Sequence, residues 1–471
     1  MAEPADQAGG LVREQGQFPV ALDRWQLVLL AIAVCLIAAL WALGLLTAQA
    51  APDTAGYFAS ASGDLWGSPR NPLYGWAARL LGAGPDSSGI VGVVQVALLV
   101  VAAFLLYFGA QAGGIGRAGA FFLAAAGLLS QSGLFHARLL VPEAPAISLL
   151  MMAFAGTLAA SRGPSAFWRY IGPIALATGA AYLLRPSFLP AIFVVPFLWM
   201  VFAIRNGQQR IARAALLLLL TVASPFIVQS AIRWRAVSDF NIVSFGGYQM
   251  SPMAGFMLTP DLVAGLPAAV QPTGAAVLAA RETAESAGRV ARTPENSSGG
   301  RSFASAALGY FDIYARSYDG LLVEIAKLRR PDESWISFDR RLRDFSVATL
   351  MRVPDKWLAW VGGATARFVG HAIVSNATML LACLALLVTS IIAAIWRGHL
   401  AVTARDLAPV CAVALAWLAA TGPLIVLMTF PATRYIDTAG VLLAAIPATL
   451  AAAIIGRLLE PVGTASDSEK A

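Results

Sequence analysis

The feature that most limits what this chain can become is its series of long apolar runs. Stretches long enough to cross about 30 Å of hydrocarbon fall at roughly 25–50, 89–110, 117–134, 143–160, 168–184, 187–204, 212–231, 373–396, 406–430 and 438–457. Inside lipid every backbone N–H and C=O needs a partner from the protein itself, and a helix supplies one within its own segment. Several runs contain Gly or Pro, which membrane helices tolerate. Only 13% of the 471 residues are charged and 58% are hydrophobic, which excludes a soluble multidomain protein. The expected fold is an all-α polytopic membrane protein of about ten transmembrane helices, with juxtamembrane helices and a small helical domain in an outer loop.

Ten spans put both termini on one side. Arg117, Arg162, Arg169, Arg205, Arg210, Arg213, Arg397 and Arg405 fall in or beside alternate connections, which the positive-inside bias places in the cytoplasm. Trp25 and Trp168 stand at span starts, where interfacial anchors belong. Residues 1–24 and 458–471 are then cytoplasmic tails, 25–231 holds spans one to seven with a first outer loop at 51–88, 232–372 is a large outer segment, and 373–457 holds spans eight to ten. Within the large segment, 274–291 and 305–328 read as helices and 292–300 as a linker. The stretch 354–368, with Trp357 and Trp360, suits a helix lying along the outer surface. No internal repeat suggests an inverted-repeat transporter.

The net charge of +7 reflects cytoplasmic arginines and attraction to membrane lipids, since no basic block with interleaved aromatics points to nucleic acid. Cys35, Cys383 and Cys411 lie inside apolar runs and form neither a disulfide framework nor a spaced zinc site. The first run is too long for a signal peptide and lacks a cleavage site. Walker A, GxGxxG, HExxH, paired CxxC and GxSxG patterns are absent. The sequons at Asn296 and Asn376 are of a kind that arises by chance.

Against this background, Arg138, Arg185 and Arg434 stand out. Each falls at the outer end of a span, where positive charge is unfavoured and ionisable groups are usually functional. Asp53 lies on the same side, close to the end of span one. Partial desolvation there raises a carboxylate's basicity, as a general base requires. The competing reading is that Asp53 N-caps a short helix; Asp64 is the rival base, or a turn residue. The stretch 71–81 is spaced for a surface helix that floors a cavity. The junction 135–145 gathers His136, Arg138 and Glu143: Arg138 binds a phosphate or simply pairs with Glu143, Glu143 holds a divalent cation or orients Arg138, and His136 is a ligand or a packing residue. Arg185 binds phosphate or snorkels to the interface. Arg434 beside Tyr435 offers a cation and a hydroxyl, with Asp437 as an alternative partner for Arg434, and His371 stands nearby at the start of span eight. Guanidinium forks match phosphate oxygens, so an anionic, lipid-linked substrate is expected.

The chain resembles the GT-C superfamily of integral-membrane glycosyltransferases, in particular the protein O-mannosyltransferase-like and lipid A aminoarabinose transferase-like branches. The resemblance is carried by Asp53 and Tyr57 followed by Asn71-Pro72-Leu73, by Arg138 and Glu143, by Leu184-Arg185-Pro186, by Arg434-Tyr435, and by the stretch Arg340 to Phe368. Thr54 stands where many relatives carry a second acid, and Glu143 where they often carry Asp. The resemblance implies a cytoplasmic (inner) membrane enzyme with its site facing the periplasm. It would transfer a sugar from a polyprenyl-phosphate donor, with inversion, to a glycan, lipid or protein acceptor in the cell envelope. Asp53 would be the catalytic base, Arg138, Arg185, Arg434 and Tyr435 would hold the donor phosphate, and Tyr57, His136, Glu143 and His371 would support them. No cofactor is implied beyond a divalent cation at Glu143. The alternatives are an O-antigen ligase or polymerase using a diphosphate-linked donor, and a transporter or flippase of lipid-linked anions.

Overall fold

The computed structural model describes residues 22–63, 65–84, 87–290, 320–395, 404–428 and 433–458. The rival base Asp64, the linker at 292–300 and the first part of the helix expected over 305–328 lie outside these residues; 320–326 is helical. Among the described residues the chain is all-helical, and its only β contacts are two isolated bridges.

The helices in chain order are α1 (Arg24–Ala42), α2 (Thr54–Ser60), α3 (Leu73–Leu80), α4 (Val91–Ala112), α5 (Arg117–Leu128), α6 (Gln131–Ala137), α7 (Glu143–Ala160), α8 (Pro164–Leu184), α9 (Ala191–Arg205) and α10 (Ile211–Val237). They continue with α11 (Gly246–Phe256), α12 (Pro260–Gly265), α13 (Gln271–Ser286), α14 (Trp335–Leu350), α15 (Pro354–Gly370), α16 (Ala377–Ile395), α17 (Ala404–Met428), α18 (Thr433–Ala439) and α19 (Ala445–Leu458).

Seven of the described helices, with α5 and α6 counted as one, are long and apolar enough to cross a membrane; the count is eight if the bent pair α15 and α16 forms one span. This is a multi-pass membrane protein, but the expected ten is not reached by length and composition. α8 is continuous over 21 residues but carries Arg169 and Pro173, which make it less apolar than the seven. α16 qualifies only with α15, from which it bends by 65°, and α19 has 14 residues.

Sequence chemistry starts α1 at a capping box. Asp23 accepts from the Trp25 and Gln26 amides, and Gln26 accepts from the Asp23 amide. The Tyr107 hydroxyl of α4 also donates to Asp23, pinning the two helices together. α7 is the most enclosed helix and sits between α4 and α8, whereas α1 and α10 turn most of their apolar surface outward. Small residues make the central packing possible: a Cβ on Gly109 would collide with the Ala155 backbone of α7. Close backbone approach of this kind is what holds helices together where lipid is as apolar as the side chains.

Two of the predicted spans are broken near the same level. Ser130 interrupts the run beginning at Arg117, and its hydroxyl caps α6 through the Gly133 amide at 3.1 Å. The last span, expected over 438–457, is helical only from α19, with a turn at 440–444 separating it from α18, most of which lies in the expected connection. Ser132 of α6 meets Thr438 of α18 at 2.9 Å, and Trp417 of α17 donates to the Thr438 carbonyl at 3.0 Å.

At this end of the bundle a second apolar core forms from α11, α13, α14 and α15 with Leu321 and Ile325. Phe256, Val277, Phe338, Leu342, Phe345 and Trp360 fill it, and Ile425 and Ile436 join it to the bundle. α11 and α14 approach so closely that a Cβ on Gly247 would strike the Asp339 carbonyl, and Asp339 accepts the Tyr248 amide at 2.8 Å. The stretch 354–368 is helical as α15, which continues through a π-helical turn at His371–Ser375 before the bend into α16.

Candidate functional site

The loop after α1 is pinned to the α6–α7 junction. The Gln49 amide donates to the Arg138 carbonyl and the Leu140 amide to the Gln49 carbonyl, both at 2.8 Å. Thr54 then accepts the Ala51 amide and donates to the Leu140 carbonyl at 2.9 Å. These bonds fix the chain on both sides of Asp53. α3 packs beneath α2. Its Trp76 and Arg79 donate to the Ala61 and Phe58 carbonyls at 3.1 and 3.0 Å, satisfying the open end of α2. Gly75 permits this approach, since a Cβ there would overlap the Tyr57 carbonyl. The Tyr57 and Tyr74 rings meet edge to face at 5.4 Å.

Asp53 occupies the N-cap position of α2, but its side chain makes no capping bond. Instead Oδ1 accepts from Arg70 at 2.7 Å and Oδ2 from Arg434 at 3.0 Å. Arg70 also lies over the Tyr57 ring at 5.1 Å and over Phe245 at 5.2 Å. Burial pushes the Asp53 carboxyl up, but Arg70, Arg434 and Arg185 together outweigh it and hold it below the ordinary carboxylate range. The expected rise in basicity is therefore reversed in the resting site, because interfacial burial brings cations along with it.

Arg185 is buried and does not snorkel. It bonds Glu143 at 3.1 Å and donates to the Tyr57 hydroxyl at 3.4 Å. Its guanidinium lies over the Tyr435 ring at 5.4 Å, with Arg434 over the same ring at 5.1 Å. Glu143 is thus paired with Arg185 and not with Arg138. Asp437 is paired with His371 at 3.1 Å and not with Arg434. Arg138 makes no ion pair with a described acid, and its buried Nε has no partner; the leading charges on Asp53 are Arg70, Arg434 and Arg185. His136 sits in α6 with Nδ1 against its own helix at the Ser132 carbonyl, 2.8 Å, an arrangement suited to packing.

Asp53, Tyr57, Arg185, Arg434 and Tyr435 therefore form one connected cluster that reaches Glu143 through Arg185, and the structure adds Arg70 to it. No sequence signal isolates Arg70, which lies in the polar run Ser68-Pro69-Arg70-Asn71 without helical spacing. Neither carboxylate of the cluster suits a metal: each already accepts from a guanidinium. Among the described residues no three His, Cys, Asp or Glu side chains gather to hold an ion. The arrangement instead offers fixed, partly buried cations around one ionised acid, of which Arg434 is the most open at 43% side-chain exposure. Such a site can receive an anion and neutralise charge that builds on it.

Comparison of the chain with protein-family models, curated proteins and solved structures returned no match.

Proposed function

We propose that the protein is an inverting membrane glycosyltransferase that moves a sugar from a polyprenyl-phosphate donor to an envelope acceptor hydroxyl. In this reading the chain crosses the membrane ten times, and the Asp53 end faces away from the cytoplasm. The carrying observation is the clamp on Asp53: one carboxylate held between Arg70 and Arg434, with Arg185 sharing Tyr435 as a platform. The site lies where the helix bundle meets the second core; in this reading a headgroup reaches it while its tail stays in lipid.

The chemistry follows from the charges. A phosphate entering at Arg434 competes with Asp53 for the guanidinium. Its negative charge and the loss of one ion pair both favour the protonated acid, so Asp53 becomes a better base once the donor is bound. The acceptor oxygen then attacks the anomeric carbon as its proton passes to Asp53. The bond from that carbon to the phosphate oxygen breaks, and its electron pair stays on the departing lipid phosphate. Arg434 and Arg185 are placed to stabilise the added charge without reorganising.

The test is mass spectrometry of cell-envelope glycans from cells with the gene, cells without it, and deleted cells complemented by wild type or Asp53→Ala. A glycan missing from the deletion, restored by wild type and not by Asp53→Ala, is the expected result. An unchanged glycan profile in the deletion removes the proposal's support.

A further inference from the structure

We propose that a cavity beside the Asp53 cluster binds an acidic saccharide and seats the acceptor. The cavity, of about 460 Å³, opens between the end of α2 with the α2–α3 loop and the start of α14. This volume lies within the range of small-molecule sites. Ser60 and Ser68 lie on one wall, Ser337 and Trp335 on the other, and Arg329 and Arg340 are among the remaining lining residues. A half-buried indole bordered by hydroxyls suits a sugar ring, whose C–H face is apolar and whose edge is polar.

The two arginines supply the charge preference. Each is tethered by one nitrogen to a backbone carbonyl: Arg329 Nε to Glu333 at 2.9 Å, and Arg340 Nη2 to Ser238 at 3.3 Å. Neither pairs with a described carboxylate, while the neighbouring Glu333 is taken by Arg341 at 2.7 Å. The remaining donors of both guanidinium groups are left for an anionic ligand.

The cavity is joined to the reacting acid by a short chain of contacts. Ser60 and Ser68 bond each other at 2.5 Å, and Ser68 accepts the Arg70 amide at 3.2 Å. Arg70 holds Asp53 and lies over Phe245, against which Trp335 stacks with centroids 6.0 Å apart. One loop thus walls the cavity on one side and orients Asp53 on the other. That it seats the acceptor rests on the glycosyl-transfer reading; that it binds an acidic sugar does not.

The test is calorimetric titration of the full-length protein in phosphatidylcholine nanodiscs with digalacturonic acid, and with maltose as the neutral counterpart. Digalacturonate should bind with an affinity that falls as salt rises, and maltose should not bind. Arg329→Ala with Arg340→Ala should weaken digalacturonate roughly tenfold, the scale of losing charge-assisted hydrogen bonds. Ser337→Glu, which keeps both arginines and adds repulsion, should weaken it comparably. Arg434→Ala should leave binding within about twofold. Absence of binding, equal binding of maltose, or a loss at Arg434→Ala in place of the cavity variants overturns the assignment. Binding that stands while the glycan profile is unchanged by gene deletion would keep the cavity and remove only the transferase reading.

Discussion

Replacing Arg185 with alanine strips a buried carboxylate of its partner. The side chains of Arg185 and Glu143 are 8% and 4% exposed, and their closest atoms are 3.1 Å apart. Charge centres about 4 Å apart attract by about 4 kcal/mol at an effective dielectric of about 20. Little water can reach Glu143 to replace that attraction, and its Oε2 already has no partner. Removing one member of a buried pair costs about 3–5 kcal/mol, in line with the Coulomb figure. Loss of the contact over Tyr435 adds about 0.5–1 kcal/mol. The assay is SDS-driven unfolding of purified protein in mixed micelles, followed by tryptophan fluorescence, for Arg185→Ala, Glu143→Ala and the double variant. The singles should each lose stability on this scale, and the double should lose much less than their sum, since neither variant's orphaned charge remains. A loss at Arg185→Ala within about 0.5 kcal/mol, the range of an ordinary surface change, or strictly additive singles, would refute the reasoning.

Asp53 sets a pH signature. Its folded carboxyl lies below the unfolded value of about 3.9, so its pairing stabilises fully above that value and is lost only as pH falls through the lower folded one. Thermal unfolding of wild type and Asp53→Asn should therefore differ by a constant amount from pH 8 to about 5, and a gap that closes between pH 7 and 5 would contradict the clamp. Under the proposed chemistry, Arg434→Ala should lower the rate of sugar transfer by about 10²–10³-fold, as for loss of one preorganised donor, measured with a radiolabelled lipid-phosphate sugar. Gly75→Ala should destabilise by about 1–3 kcal/mol, the usual result of overpacking, because its methyl would meet the Tyr57 carbonyl; a variant as stable as wild type by thermal unfolding would show that α2 and α3 are free to part.

The residues of the candidate site were more legible than their partners. Asp53, Arg185 and Arg434 can be singled out because a charge at the end of an apolar run is costly wherever the run leads. Their pairing could not be read. Asp53 and Arg434 are 381 residues apart, and local spacing suggested Glu143 with Arg138 and Asp437 with Arg434, where the fold pairs them with Arg185 and His371. Arg70 carries no such signal, because its role depends on a turn that brings residue 70 back over α2, and no periodicity records that turn. The turn at Ser130 is hidden because a single serine hardly interrupts an apolar run, and the turn after α18 because residues 440–444 are themselves mostly apolar.

Sequence by itself determined the solvent and the class of structure: runs this apolar must leave water, and in lipid their backbones close their own hydrogen bonds as helices. It also determined which few ionisable groups would sit near the ends of those helices. Tertiary structure decided which of them meet. A buried charge takes whichever opposite charge the packing presents, and packing is set by where small residues let whole helices approach, not by how close two residues lie along the chain.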